Sequence, residues 1–99
     1  MILEFADIRI HAGKQAEFEA AIVHGVDSVI AHAKGFLGCE IRKGIESAER
    51  YLLMIRWATI EDHTVGFRQS DAFTRWRAIV GPYFAEPPRV EHFAQVGRS

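Results

Sequence analysis

Three side chains in this sequence are suited to acid–base chemistry or to anion binding: Asp7, His63 and Arg77. Asp7 falls on a half-buried face of a predicted strand, where a carboxylate needs a hydrogen-bonded partner or acquires a raised pKa. The sequence therefore predicts either an ion pair of Asp7 with Arg9 or Arg77, or a general base. His63 titrates near neutrality in an ordinary environment. Its position in the first turn of a predicted helix also fits a solvent-exposed residue.

Other polar residues carry weaker signals for chemistry. A metal site formed by His63, His92 and Asp7 has no HxxxH or CxxC spacing to support it, so no metal is predicted. His92 alternates with apolar neighbours, which favours a hydrogen-bonded core or interface histidine. The single cysteine, Cys39, falls within a predicted strand and is interpreted as a small buried hydrophobe.

Aromatic side chains are concentrated between residues 51 and 84, which contain both Trp, both Tyr and three of the seven Phe. In a small domain, this density indicates either the core or the wall of a pocket for a flat ligand. For any single aromatic residue, the core is the more frequent environment.

The same stretch predicts a strand followed by a broken helix. Residues 51–57 are rich in the aromatic and β-branched types that suit a packed strand. Thr59 is placed to cap a helix over 60–68, and Gly66 weakens its interior. Ser70 offers a second N-cap for a helix over 71–80, which Gly81 and Pro82 then end.

The remaining chain adds a strand over 2–11, a helix over 14–32, a strand over 36–45 and a last strand over 90–96. The order βαββααβ predicts one domain over residues 1–99 with an α+β, ferredoxin-like sandwich and an antiparallel sheet. The first strand is apolar on both faces, whereas the helices can cover only one. The other face should therefore pair with a second copy, and we expect a homodimer.

Composition narrows the class of protein. The chain has 99 residues, 48% of them apolar and 25% charged, with a formal net charge of −1. These values indicate a globular domain and give no field for binding nucleic acid or an anionic membrane surface. The N-terminus has no basic region before a long apolar run, and a lone cysteine fits a reducing compartment. A cytoplasmic protein is expected.

Four features together carry a resemblance to a known family: the strand that ends at Trp57, the Phe67-x-x-Ser70-x-x-Phe73 spacing, Trp76, and Gly81-Pro82-Tyr83-Phe84. In these features the chain resembles the antibiotic biosynthesis monooxygenase superfamily of dimeric α+β barrels, over essentially its whole length. The resemblance implies two protomer sheets that face each other in a barrel, with a pocket between sheet and helices in each protomer.

The resemblance also implies a choice of activities. The superfamily includes cofactor-independent oxygenases that convert hydroquinones or polycyclic phenols into quinones with O2, and other members degrade haem. The haem-degrading members have an Asn where this chain has Asp7, a Trp at Phe67 and a haem-ligating His at Arg77. All three residues differ, so haem degradation is rejected.

By this resemblance, the chain is expected to be a cofactor-free monooxygenase with a small aromatic substrate and O2. Asp7 or His63 would act as base, and Arg77 or Arg56 would hold the phenolate. The side chains expected to stack on the substrate are Tyr51, Trp57, Phe67, Phe73, Trp76 and Tyr83. Two alternatives remain: a non-catalytic dimeric domain that binds or senses a flat aromatic metabolite, and a stress-related dimeric protein of the same fold with no open pocket.

Overall fold

The computed structural model describes all residues from 1 to 99. Four strands and two α-helices form the domain. They are β1 (Ile2–Arg9), α1 (Gln15–Ser28), β2 (Phe36–Lys43), β3 (Arg50–Trp57), α2 (Asp71–Val80) and β4 (Arg89–Ala94). A π-helical segment, Asp62–Phe67, precedes α2, and short 3-10 helices lie at Ile30–His32 and Gly81–Tyr83. No helix is both long and apolar enough to cross a bilayer.

The strands form one antiparallel sheet in the order β2-β3-β1-β4. This arrangement confirms the predicted ferredoxin-like α+β fold. Strand β1 lies in the interior of the sheet, so each of its residues has a neighbour on either side. Glu4 is paired with Ile55 of β3 and with His92 of β4. The register therefore brings a carboxylate and an imidazole together, although they are 88 residues apart in the chain.

The two faces of the sheet differ because successive side chains on a strand point in opposite directions. One face packs against α1 and α2. Its buried hydrophobic residues in β1 and β3 are Ala6, Ile8, Tyr51, Leu53, Ile55 and Trp57. The opposite face, which we call the open face, carries apolar side chains that no helix covers: Leu3, Phe5, Leu52, Met54 and Phe93. This exposure supports the expectation of a second copy, and the homodimer stays a prediction.

Helix boundaries differ from the sequence-based expectation at two points. The first helix ends at Ser28 and gives way to a 3-10 turn, rather than continuing to residue 32. Thr59 does cap the next helix, since its hydroxyl oxygen accepts the Asp62 backbone N–H at 3.1 Å. Ser70 does not act as the predicted side-chain cap. Its hydroxyl instead donates to the Phe67 carbonyl at 2.6 Å, at the end of the preceding π-helical segment.

Close packing of α1 on α2 depends on Gly25. A Cβ atom at this position would lie 2.8 Å from the Trp76 ring, closer than real Cβ contacts allow. The missing side chain lets the two helices approach and seats the indole against the backbone of α1. Trp76 is thereby held over the sheet, where it contributes to the cavity described next.

Candidate functional site

A cavity of about 380 Å³ lies between the sheet, the π-helical segment and α2. Ten of its 16 lining residues are hydrophobic. Four of the others are ionisable: Glu4, His63, Arg68 and Arg77. An apolar wall with a few polar groups is the usual composition of a small-molecule site.

Glu4 is a buried carboxylate on the helix-covered face of β1, only 6% exposed. The indole N–H of Trp57 donates to Glu4 Oε1 at 2.9 Å. Burial disfavours the charged form and raises the pKa of Glu4, and the Trp57 hydrogen bond and the positive charge of Arg68 oppose the rise. The carboxyl is thus shifted toward neutrality, as a general base working near physiological pH requires.

His63 lies beside Glu4 and is 2% exposed. Its Nε2 is 3.3 Å from Glu4 Oε1, and its Nδ1 is 2.7 Å from Nε2 of His92. The ring also stacks on Trp57, with 5.5 Å between centroids. Burial, reinforced by the charges of Arg68 and His92, lowers the pKa of His63 to about 4. His63 is therefore neutral at pH 7.

His92 is half-buried on β4. Burial and the charge of Arg68 lower its pKa as well. Two neutral imidazoles in contact can share a single hydrogen bond, with one ring donating and the other accepting. Two hydrogen bonds, from Trp57 to Glu4 and between His63 and His92, are joined by the 3.3 Å contact of His63 Nε2 with Glu4 Oε1. We call these four residues the Glu4 network.

This arrangement has consequences for metal binding. Glu4 and His92 approach opposite nitrogens of His63, so one ion could not be ligated by all three residues without moving the ring. No cluster of three or more His, Cys, Asp or Glu side chains in the structure is arranged to hold a metal ion.

The π-helical segment explains how His63 and Arg68 reach the same cavity. The Arg68 backbone N–H donates to the His63 carbonyl at 2.9 Å, which is the i to i+5 pattern of a π-helix. The wider turn also brings the Phe67 ring alongside His63, nearly parallel at 6.4 Å between centroids. Segments of this kind occur frequently at functional sites.

The structure brings together five of the residues predicted from sequence: His63, Phe67, Phe73, Trp76 and Arg77 all line the cavity. Trp57 does not line the cavity, and is fully buried beneath Glu4 and His63.

Tyr51 and Tyr83 lie elsewhere. Both rings pack on Phe18 of α1, and the Tyr51 hydroxyl donates to Glu19. Burial is the main cause of a raised pKa for Tyr51, and the Glu19 hydrogen bond adds to it. These two tyrosines belong to the packing between α1 and the sheet rather than to the cavity wall.

Asp7 lies outside the cavity, on the open face of the sheet. Its partner is Arg50, which donates Nε to Oδ1 at 3.1 Å and a terminal nitrogen to Oδ2 at 2.9 Å. The predicted pairing with Arg9 or Arg77 is therefore wrong. The Arg50 hydrogen bonds lower the pKa of Asp7, which keeps it a carboxylate with little basicity. Arg56 is likewise absent from the cavity wall.

Sequence reasoning did not assign a role to Glu4, and it interpreted His92 as structural. A signal for Glu4 was present, since it is the one charged residue on the Ile2, Ala6, Ile8 face of the first strand. A charged residue on the side of a strand that packs against the core is either paired with another group or part of a functional site. His92 carried the same signal on the last strand, but its contact with His63 depends on register.

Comparison with known proteins places this chain in a family. The sequence model of the family described as "Antibiotic biosynthesis monooxygenase" matches residues 1–79. The uncharacterised protein YczJ of Bacillus subtilis (strain 168) is 36% identical over 96 residues, covering 97% of this chain and all of the relative.

Solved structures agree with the sequence match. A Bordetella bronchiseptica protein assigned to the antibiotic biosynthesis monooxygenases is 40% identical, with a TM-score of 0.91 and 96% of each chain covered. SnoaB of Streptomyces nogalater, a cofactor-independent oxygenase whose structure was solved for a mutant form, shares the fold at 13% identity. Its TM-score is 0.82, with 98% of this chain and 94% of that chain covered. By sequence and by fold, the chain belongs to the antibiotic biosynthesis monooxygenase family.

Proposed function

We propose that this protein is a cofactor-independent monooxygenase that oxidises an electron-rich phenol or hydroquinone to a quinone with O2, acting as a homodimer. The observation that carries the proposal is the position of Glu4: a buried carboxyl with a raised pKa, in the lining of an apolar cavity. An apolar, water-poor site strengthens electrostatic interactions and suits a reaction that begins by forming an anion.

The reaction needs no cofactor if the substrate supplies its own electrons. Glu4 takes the phenolic proton, and the phenolate transfers one electron to O2. The resulting radical pair combines at a ring carbon to form a C–O bond, and Glu4 returns its proton to the distal oxygen. The hydroperoxide then loses water, which leaves one oxygen atom as the new carbonyl and the other in the water molecule.

Two guanidinium groups in the cavity wall can stabilise the anions that form. Arg68 and Arg77 both line the cavity, and neither has an acidic partner within salt-bridge distance. The Arg77 guanidinium lies 5.8 Å from the centre of the Phe73 ring. An unpaired cation next to an aromatic wall favours binding of a phenolate or a peroxide anion.

The cavity also bears on the two alternatives. A stress-related protein of this fold would need no open pocket. Here a cavity of about 380 Å³ is present, and Phe67 and Trp76 are part of its lining. A binding domain for a flat aromatic metabolite would use the same cavity without turnover. The buried acid–base group supports the enzyme over the binding domain, because binding a neutral aromatic ligand does not require a buried carboxyl.

The test is oxygen uptake with a panel of reduced naphthols, anthrones and hydroquinones, using chelator-treated protein and no added cofactor. We expect uptake above heat-denatured protein, with the quinone appearing in step. Glu4→Gln should remove the excess uptake, and Asp7→Asn should serve as the matched control on the opposite face.

Two results would contradict the proposal. The first is uptake that Glu4→Gln leaves intact. The second is quenching of Trp57 or Trp76 fluorescence by the same compounds with no uptake, which would identify the binding domain instead.

A further inference from the structure

The positions of the hydrogens in the Glu4 network follow from the chemistry of its members when Glu4 is ionised, the state in which it acts as a base. An indole N–H can only donate, so Glu4 Oε1 accepts from Trp57. The Nε2 atom of His63 approaches the same oxygen at 3.3 Å. This contact lacks hydrogen-bond geometry, but an ionised carboxylate offers only lone pairs, so hydrogen on Nε2 is favoured over a nitrogen lone pair that faces the oxygen. Neutral His63 then has no hydrogen on Nδ1.

The second imidazole completes the chain. His63 Nδ1 lies 2.7 Å from Nε2 of His92, a distance at which two bare nitrogens would repel. Because Nδ1 of His63 is an acceptor, Nε2 of His92 is the donor. Both hydrogen bonds of the network therefore run toward Glu4, from His92 to His63 and from Trp57 to the carboxylate, and the Nε2–H of His63 faces the same oxygen.

The other oxygen of Glu4 is left free for substrate. Both network contacts are made to Oε1, and no protein donor reaches Oε2. The structure has no buried side-chain oxygen or nitrogen without a partner. Oε2 is therefore accessible, and Glu4 lines the cavity. A proton taken on Oε2 would leave the Trp57 hydrogen bond and the His63 contact at Oε1 in place, so the base would need no rearrangement during the reaction.

We propose that His92 is a positioning residue for Glu4, which acts by holding His63 in the tautomer with hydrogen on Nε2. Without a donor at position 92, His63 gains no hydrogen bond at Nδ1, and its alternative tautomer would place a lone pair against the carboxylate. The charged and titratable groups facing the pair are Glu4 and Arg68. The effect of His92 on turnover rests on the proposed function, whereas its effect on the tautomer does not.

The experiment is nitrogen-15 NMR of the histidine side chains between pH 6 and 8, which distinguishes the two tautomers directly. Wild-type His63 should show hydrogen on Nε2. His92→Phe keeps a planar ring but removes the donor, and should give a mixture of tautomers. His92→Gln restores an N–H donor and should restore the signature. His24→Phe, an exposed position on α1, is the matched control.

Activity provides the second readout. Loss of one hydrogen bond that supports the base should lower kcat about tenfold in His92→Phe, with KM unchanged and partial rescue in His92→Gln. Hydrogen on Nδ1 in wild-type His63, or an unchanged tautomer in His92→Phe, would overturn the proposal. The wild-type spectrum decides this even if one variant fails to fold. The predicted tautomers in a protein that consumes no oxygen would support the network and contradict only the proposed function.

Discussion

Two carboxylates on strand β1, Glu4 and Asp7, show how the two faces of one sheet give the same functional group opposite properties. Glu4 points under the helices, where burial raises its pKa. Asp7 points to the open face, where Arg50 lowers its pKa through two hydrogen bonds. Because side chains alternate along a strand, two residues three positions apart point to opposite faces of the sheet. The environment, rather than the residue type, therefore decides which carboxylate can act as a base.

The largest expected effect is on catalysis. Glu4→Gln should lower kcat about 10²–10⁴-fold, the usual contribution of a general base, because the amide cannot accept the phenolic proton. Asp7→Asn should leave kcat within about threefold, since a carboxylate with a lowered pKa that lies outside the cavity cannot act as the base. Steady-state oxygen consumption measures both variants. Equal losses of kcat in the two variants would contradict the inference that only the carboxylate on the helix-covered face acts as a base.

A second prediction concerns stability in acid, because the buried His63 makes the free energy of unfolding depend on pH. The unfolded state protonates His63 near its ordinary pKa of 6.5, and the folded state only near about 4. Protonation therefore stabilises the unfolded state first, and stability is lost as the pH falls from 6.5 toward 4. The full contribution amounts to about 3 kcal/mol.

Urea unfolding at a series of pH values measures this loss. His63→Gln should flatten the slope below pH 6.5, and His24→Gln, at an exposed site, should reproduce the wild-type curve. A His63→Gln curve parallel to wild type would show that this histidine is protonated equally in both states.

A third prediction concerns the open face, which we propose pairs with a second copy. Phe5 and Phe93 pack edge to face there, 5.9 Å apart, without cover from a helix. Phe5→Glu should weaken dimerisation at least about tenfold, because a carboxylate would be buried in an apolar interface. Sedimentation or light scattering over a concentration series gives the constant. His24→Gln, at an exposed position on α1, is the control, and a wild-type monomer at all concentrations would refute the pairing.

The fold could be predicted from the sequence because its signals are local. The aromatic and β-branched residues of β3, the Thr59 cap and the Gly81-Pro82 stop each act within a few residues. The π-helical turn was not predicted, because Gly66 and Ser70 mark a weak point in a helix but not how the backbone rearranges there. The predicted end of the first helix was also wrong, because the apolar spacing continues past Ser28 into the 3-10 turn.

The site could be predicted only in part, since it depends on contacts between distant strands. The aromatic wall followed from local density, and Phe67, Phe73 and Trp76 do line the cavity. The contact between His63 and His92 depends on the pairing of β4 with β1, and the Arg50 partner of Asp7 depends on the pairing of β3 with β1. Register of this kind is set by the whole sheet.

The smallest expected effect is the stability of Asp7→Asn. The Asp7–Arg50 pair is bidentate but partly exposed, with 22% and 41% of the two side chains accessible. Removing it should cost about 0.2–1 kcal/mol at neutral pH, the range of exposed ion pairs. Because the folded pKa of Asp7 is lowered, its contribution is present above the unfolded pKa and is lost as the pH falls through the folded value. Asp7→Asn and wild type should therefore converge in urea unfolding at low pH. A difference that persists there would mean that Asp7 acts through packing rather than charge.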